Sequence, residues 1–556
     1  MGDRLTLLLL LVCTVASHAM LRHGRTLEFG EQDEPMEEYG PGRPPEGPAS
    51  LQAMFDPVPQ WLERLGNYRG GSLQLQERLQ RVFVEGVVAW SDYSGLGGCE
   101  IAMSLIRQAV LGDEAAAADV PSTIFHRGSD VSATARKVLL AGGCESPNHV
   151  FGNILARVPR AVRRELTEFM RIKEDEFKQR TSNLEAPATP LKVAAEIGAE
   201  FMAHAHQIMR GVQFKQKVWC FKHRCECPVF PSCAGRLTVA CAGTTCTSFS
   251  SMGKQYGWFA KSSIIFLAWA YEQLRARPTV IVHECVPSFD IAHLVTVFGA
   301  LYLIRSLVIC PSDLGVPVRR KRRWTILVLR SALRPLLAFD ADGFGMLFFR
   351  RAILDGHALF SAPARIIADF CTLLAARKGL PPTQGDGQQW PIRMLLTSTQ
   401  EARLREYEKA CKSTRRSRTK YIYNIMQTPL FGRSWSTQIP TLLTKTSLIW
   451  SMKMDRCMVP IEHLLCQGID ALSPVCPFSV ARLAQAGELS PRAIMLLAGN
   501  SFHMSVVTSV LMFIFSAFEA RQQPLRKLDR SAAFCLLDFQ SLSQSEAEGD
   551  CSDDDL

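Results

Sequence analysis

The stretch from Val84 to Val110 constrains the fold more than any other. A short apolar run, Val87 to Trp90, empties into Asp92-Tyr93-Ser94-Gly95-Leu96-Gly97-Gly98, and a helix-forming segment opens at Cys99. Strand, glycine-rich turn and helix make the opening of a βα unit. The glycines let a ligand approach the backbone, and the helix N-terminus presents N–H groups that have no partners within the helix. Taken alone, such a turn is equally well a plain tight turn. A second strand candidate, Ser122 to His126, precedes Asp130. An acidic residue at that place is where a ribose diol is held in nucleotide-binding sheets.

Three later segments put reactive groups at strand ends. The run Leu237 to Cys241 leads into a small, hydroxyl-rich turn, Ala242 to Gly253, that carries Cys246. A thiol at a strand-to-loop turn stands clear of the core, and neighbouring N–H groups and hydroxyls favour its thiolate. The competing reading is a small buried apolar side chain. The β-branched run from Val280 ends at Glu284. A carboxylate there faces the crevice where α/β sheets bind ligands, and burial raises its pKa, although a hydrogen-bonded structural Glu fits as well. Leu301 to Leu327 reads as a strand, a Pro/Gly turn, the basic run Arg319–Arg323 and a further strand. That order brings guanidinium groups to a cleft edge, suited to phosphate or a base carbonyl.

Composition sets the frame. With 556 residues, 47% apolar and 21% charged, the chain can bury a large core divided among two to four domains. Its net charge of +10 gathers at 319–323 and 415–420, while the tail beyond Leu542 is acidic; this balance is compatible with a polyanionic partner without identifying one. The 18 cysteines are scattered rather than framed, which argues for reduced thiols. Met1 to Ala19 nevertheless has the layout of a targeting presequence: Arg4, an apolar run from Leu5 to Ala16, then Ser17-His18-Ala19. Reduced thiols do not fit a secreted compartment, so the segment either begins an organelle route or is no working signal; were the polyanionic partner DNA, the nucleus or a DNA-containing organelle is expected. Residues 21–75 read as a flexible leader and 521–556 as an acidic tail. Met504 to Phe518 is apolar but short and carries Ser and Thr, so a buried helix is expected and not a stable membrane insertion.

The order of these signals resembles the cytosine-C5 DNA methyltransferase family across roughly residues 84–520. DYSGLGG (92–98) resembles its methyl-donor loop, with Tyr93 where Phe is usual, and Asp130 its ribose-binding acid. Gly152-Asn153 resembles a Gly-Asp pair that binds the adenine amino group. GTTCTSFS (243–250) is similar to the Pro-Cys-Gln nucleophile motif, HEC (283–285) to Glu-Asn-Val, and GVPVRRKR (315–322) to Gly-x-Pro-Gln-x-Arg-x-Arg. VPIEHLLCQGI (459–469) matches Thr-Pro-Arg-Glu with its following Leu-Gln-Gly-Phe, and AGNSFH (498–503) the closing Gly-Asn motif. The departures are Asn153 for Asp, Thr245 for Pro, Thr247 for Gln, Cys285 for Asn and Val318 for Gln.

The resemblance implies an α/β fold of the class I methyltransferase kind, a doubly wound sheet with a small target-recognition domain and a helical insertion. It implies a catalytic domain at 76–330 with the insertion at about 160–235, the recognition domain at 331–454 and a return to the catalytic domain at 455–520. It also implies S-adenosylmethionine as cofactor, held by Tyr93, Ser94, Gly95, Gly97, Gly98, Asp130, Asn153, Thr245, Asn500 and Ser501, with Cys246, Glu284, Arg320 and Arg322 carrying the reaction. Double-stranded DNA containing cytosine is the implied partner, with transfer RNA the alternative. A relative that binds DNA without turnover is a third reading. Within the insertion, Cys220, His223, Cys225 and Cys227 offer Cys-x2-His and Cys-x-Cys spacings for a structural zinc site, with Cys233 nearby. The spacing beyond Cys227 is irregular, and unliganded thiols are the expectation.

Overall fold

A computed structural model describes residues 44–521 apart from 69–73, 113–122, 144, 183–189, 232–234, 252, 414–420, 430–435 and 445–446. The presequence-like start, Cys233, the 415–420 basic cluster and the acidic tail lie outside the described residues.

In chain order the first strands are β1 (Val87–Asp92), β2 (Ile124–Ser129), β3 (His149–Phe151), β4 (Lys217–Cys220), β5 (Cys225–Pro228), β6 (Leu237–Gly243), β7 (Val280–Cys285), β8 (Tyr302–Ile309) and β9 (Arg322–Leu329). Seven of them form one sheet in the order β3-β2-β1-β6-β7-β9-β8. β3, β2, β1, β6 and β7 run parallel, while β9 is antiparallel to both β7 and β8. This is the α/β class I methyltransferase fold, a doubly wound sheet closed by a reversed hairpin.

The sequence dictates this locally. β1 and β7 are buried along their whole length, as parallel strands covered on both faces must be, and therefore read as near-continuous apolar runs. Successive side chains of β6 alternate between faces. Ala240 and Ala242 join a core with Trp269 and Leu267 of the Ser262–Ala276 helix and Phe201 of the Pro190–Arg210 helix. On the opposite face Met504–Ala517 packs on the Leu75–Glu85 and Gly98–Leu111 helices. Every residue of Met504–Ala517 is buried. It belongs to 491–517, the one stretch among the described residues long and apolar enough to cross a membrane.

The structure differs from the sequence reading in four places. Residues 51–66, expected in a flexible leader, form the helices Leu51–Phe55 and Val58–Gly66. Val58, Trp61, Leu62 and Leu65, spaced i, i+3, i+4, i+7, are all buried, with Trp61 edge-on to Phe348 at 5.7 Å. The Pro and Gly content around them obscured that stripe. β2 begins and ends later than expected because His126 and Arg127, polar yet buried, continue it. The insertion is helical over Arg160–Ser182 and Pro190–Arg210, but it ends in the β4–β5 hairpin, and its second helix belongs to the main core. The small lobe starts later than 331 and runs slightly beyond 454. Its core unites the Ala364–Arg377 and Ser398–Ser413 helices with β11 (Ile422–Asn424), β12 (Ile449–Ser451) and β13 (Arg456–Cys457), through Cys371, Leu395, Leu404, Tyr407, Tyr423 and Trp450. Before the lobe, β10 (Leu333–Pro335) pairs instead with β14 (Phe518–Ala520) at the far end of the fold.

Glu462, fully buried, ties the lobe to the sheet. Its carboxylate accepts from Ala362 N at 2.8 Å where the chain leaves, and from Val459 N at 2.8 Å where it returns, and it pairs with Arg456 at 2.7 Å.

Candidate active site

Strand direction assembles the site. β1, β6 and β7 are neighbours and parallel, so the turns that follow them emerge on one edge: Asp92 pairs with Ala242, and Gly243 with Glu284. The donor-like turn, the Cys246 loop and Glu284 are thereby brought side by side. β9 runs the other way, so its beginning rather than its end reaches the same edge, with Arg323 paired to Cys285. That reversal delivers Arg322 to Glu284, Nε to Oε1, at 3.1 Å.

Glu284 is 8% exposed. Burial raises its carboxyl above the ordinary value, against the pull of Arg322 and Arg320. Cys246 is half-buried, and burial likewise pushes its thiol up; Arg322 and Arg320 pull it down and Glu284 adds to the rise. The Cys246 carbonyl accepts from Phe249 N at 3.0 Å and Ser250 N at 2.9 Å, folding the loop back on itself. The Phe249 ring is wedged between Trp258 and Phe289, each 4.9 Å away. Thr245 and Thr247, which flank the thiol, are exposed. A Cβ on Gly253 would lie 1.8 Å from the Thr247 carbonyl oxygen, so only glycine closes this turn. The base of the loop is held by fully buried His283, whose Nε2 lies 2.8 Å from Thr244 Oγ1.

The arginine run divides its roles. Arg320 is buried, and its Nη2 donates to the carbonyls of Gly499 at 3.2 Å and Ser501 at 2.7 Å. It thus clamps the C-terminal return against the sheet, while its Nε and Nη1 have no partner. Arg323 donates to Pro287 O at 2.7 Å, and Lys321 is exposed. Of the phosphate candidates Arg319 and Lys321, only Lys321 is on the surface; Arg319 is half-buried and its backbone is held by the 437–441 segment.

The donor-like turn is tightly determined. Tyr93 has φ 55, a conformation unfavourable for a residue with a Cβ. Ser94 holds it there: its N donates to Ser129 O at 3.0 Å, and its Oγ accepts from Ser129 N at 2.7 Å. Gly95 N donates to Asp130 Oδ2 at 2.9 Å, and Ser132 N to Asp130 Oδ1 at 2.8 Å. Gly97, at φ 85, caps the Gly98–Leu111 helix. Gly98 is pressed by Met504 and Phe502, which a Cβ there would meet at 3.0 and 3.4 Å.

Other expected cofactor residues stand differently. Asn153 is exposed, and its Oδ1 accepts from Leu155 N at 3.0 Å as the cap of a short 3₁₀ helix. Asn500 is exposed, while buried Ser501 turns its hydroxyl to Ala498 O at 3.0 Å. Cys220, His223 and Cys227 converge on the β4–β5 hairpin, whereas Cys225, paired with Cys220 beside the turn, is exposed.

Sequence reasoning missed four features. Phe502 lies against Gly243, 2.7 Å from where a Cβ would be, and 5.2 Å from Trp324, walling the space beside Glu284. Glu100, buried one turn into the helix, has its carboxyl raised to about 7 by burial, and its Oε2 has no partner. Its place in the first turn after a glycine loop was the available signal. His149 joins the cysteine hairpin. Beneath the donor-like turn lies a neutral quartet: Asp92 pairs with Arg127 at 3.0 Å and Arg157 at 2.9 Å, and Glu272 with the same two at 3.1 and 2.7 Å, every side chain at most 1% exposed. Burial would raise the Asp92 carboxyl, but the two guanidinium groups outweigh it and hold it at about 2.

No protein-family model matches the sequence, and no curated protein matches it. Three solved structures follow its chain path loosely. The Dnmt2 methyltransferase of S. pombe is 13% identical, covering 77% of this chain and 98% of its own, with a TM-score of 0.35. A putative DNA modification methyltransferase encoded within an E. coli prophage is 13% identical over 78% of this chain and 99% of its own, TM-score 0.36. The Entamoeba histolytica methyltransferase EhMeth is 11% identical over 77% and 98%, TM-score 0.34. At these values nothing about the chemistry of this cleft follows from the likeness, and that chemistry rests on the geometry described above.

Proposed function

We propose that the chain is an S-adenosylmethionine-dependent methyltransferase acting on C5 of cytosine in DNA. One observation carries the reading: a half-buried thiol, Cys246, stands on the loop that follows β6, the strand next to the one that ends in a buried carboxylate, Glu284, paired with Arg322 at 3.1 Å, beside a glycine turn closed by Asp130.

The turn suits the cofactor. Asp130 uses two acceptor sites on backbone N–H groups, and a carboxylate has about four, so capacity remains for a ribose diol. Around Gly95 a Cβ would meet nothing within 4 Å, and Glu100 Oε2 lacks a partner. Tyr93, Ser94, Gly95, Gly97, Gly98 and Asp130 would hold the cofactor, which when bound supplies an electrophilic sulfonium methyl. Thr245, Asn153, Asn500 and Ser501 complete the proposed set.

Cytosine C5 is a poor nucleophile until C6 carries an electron-rich substituent. The Cys246 thiolate adds to C6, forming an S–C bond, while Glu284, whose carboxyl burial shifts toward the acid form, gives a proton to N3. Arg322 donates to the base carbonyl and holds Glu284 in place; two of its N–H groups are engaged with Glu284 and Lys321 O, leaving others for the base. C5 is then enamine-like and able to take the methyl group that a bound cofactor would supply. Afterwards the C5 proton leaves to a base, the C5–H electrons expel Cys246 as the S–C bond breaks, and N3 returns its proton to Glu284. The target atom is hidden in a stacked duplex, so the base must be flipped out. Arg320 positions the C-terminal return.

Transfer of a labelled methyl group to duplex DNA, hemimethylated DNA and transfer RNA, measured in parallel, tests the reading. Label in cytosine of DNA supports it, label in transfer RNA alone moves the substrate to RNA, and no label in any favours a binding-only protein.

Because burial lifts the Cys246 thiol above its ordinary value, the thiolate fraction rises with pH. In Glu284→Gln, whose side chain cannot titrate, we expect the residual log kcat/KM to increase from pH 7 to 9 with a slope of about one. A flat profile in that variant would exclude the thiolate as the rate-determining nucleophile. Gly253→Ala forces the Thr247 carbonyl aside and shifts the loop. The expected loss is about 10²-fold in single-turnover rate, with the melting temperature changed by less than about 3 °C.

A further inference from the structure

We propose that His149, Cys220, His223 and Cys227 bind one structural zinc ion that staples the β4–β5 hairpin to the start of β3. Their ligand atoms all lie within 4.8 Å of one another. A tetrahedral zinc with Zn–S of about 2.3 Å and Zn–N of about 2.0 Å has S···N edges of about 3.5 Å and an N···N edge of about 3.3 Å. The observed edges match: His149 Nδ1 to His223 Nδ1 is 3.2 Å, Cys227 Sγ to His223 Nδ1 3.3 Å, Cys220 Sγ to His223 Nδ1 3.5 Å and Cys220 Sγ to His149 Nδ1 3.9 Å. Two thiols and two imidazoles form a borderline-soft donor set suited to zinc. On binding the thiols release their protons, so the ion and two thiolates sum to zero charge, as a site with Cys220 fully buried requires.

The hairpin needs such a staple. Its strands are four residues each, and its own core is Phe151, Val218, Cys220, Cys227 and Val229. A lone two-stranded hairpin is marginal in water. Four protein ligands leave no open position, so the ion is structural rather than reactive. Its consequence reaches the proposed cofactor residue Asn153 all the same. Phe221, between two ligands in sequence, donates its N–H to Val150 O at 2.8 Å, and its ring lies 3.1 Å from where a Cβ on Gly152 would be. Arg136 stacks over that ring at 4.3 Å. Losing the ion loosens the wall beside Gly152-Asn153.

Elemental analysis of the purified full-length protein is expected to find about one zinc per chain, and X-ray absorption at the zinc edge two sulfur and two nitrogen neighbours. Cys225→Ser should retain the metal, while His149→Ala and Cys227→Ser should lose it. Cobalt(II) added to metal-stripped protein should give the absorption of tetrahedral thiolate coordination. Wild-type protein with no zinc and no cobalt(II) thiolate bands overturns the site. Metal lost by Cys225→Ser and kept by His149→Ala overturns this ligand set in favour of the hairpin's own residues. Zinc content is read independently of methyl transfer, so either inference can fail without the other.

Discussion

Replacing Cys246 by serine is expected to lower methyl transfer by at least about 10⁴-fold while leaving nucleic-acid binding and melting temperature near wild type. The magnitude follows from the surroundings. A hydroxyl is far harder to ionise than a thiol, and two nearby titratable groups are engaged: Glu284 is paired with Arg322, and His283 Nε2 with Thr244. The fold loses little, because Cys246 is only half-buried and serine differs by one atom. Duplex DNA carrying 5-fluorocytosine sharpens the test. With fluorine at C5 the final elimination fails, so wild-type protein should form an adduct that survives denaturant and the variant should form none. A variant that still transfers methyl groups at a comparable rate would remove the covalent route. Glu284→Gln keeps the shape but cannot supply a proton, and a loss of about 10²–10⁴-fold is expected.

The largest structural effect is expected at a residue that touches no substrate. Asp92→Asn should destabilise the protein by about 3–5 kcal/mol, read as a lower denaturant midpoint. The quartet balances two guanidinium groups against two carboxylates with almost no water access. Neutralising one carboxylate leaves a buried positive charge without compensation, which costs more than the pair itself contributes. Asp92 also accepts from Gln273 Nε2 at 3.2 Å, and Gln273 accepts from Trp90 Nε1 at 3.0 Å, so the damage spreads into β1. Because Tyr93 follows directly, the strained turn should relax and cofactor affinity should fall as well. A change below about 1 kcal/mol would mean that solvent reaches the quartet.

What could be read from the residues depended on how local the cause was. The ends of β1, β6 and β7 were legible because fully buried parallel strands leave uninterrupted apolar runs, and whatever follows them must sit on the ligand edge. The Arg322 and Glu284 meeting was legible only as a shared cleft; the reversal of β9 that makes it a contact comes from sheet order, which no local pattern encodes. His149 is 71 residues from Cys220, so ligand spacing within the hairpin pointed to Cys225. The quartet draws on four separated segments, and a charged residue in a strand such as Arg127 reads as exposed until its partners are known. Val58 to Leu65 carried a clear helical stripe that neighbouring prolines and glycines masked.

The path of residues 437–441 carries a mechanical consequence. This segment, which leads back into the small lobe's sheet, forms a backbone ladder on the arginine turn: Arg319 N donates to Ile439 O at 2.8 Å, Ile439 N to Pro317 O at 2.8 Å, and Thr441 Oγ1 to Arg319 O at 2.8 Å. A lobe joined only through its entry and exit could swing freely on them. Laced to 317–319, it moves together with the arginine turn, so any shift of the lobe is carried to the Arg320 clamp on 499–501 and to the Arg322–Glu284 pair.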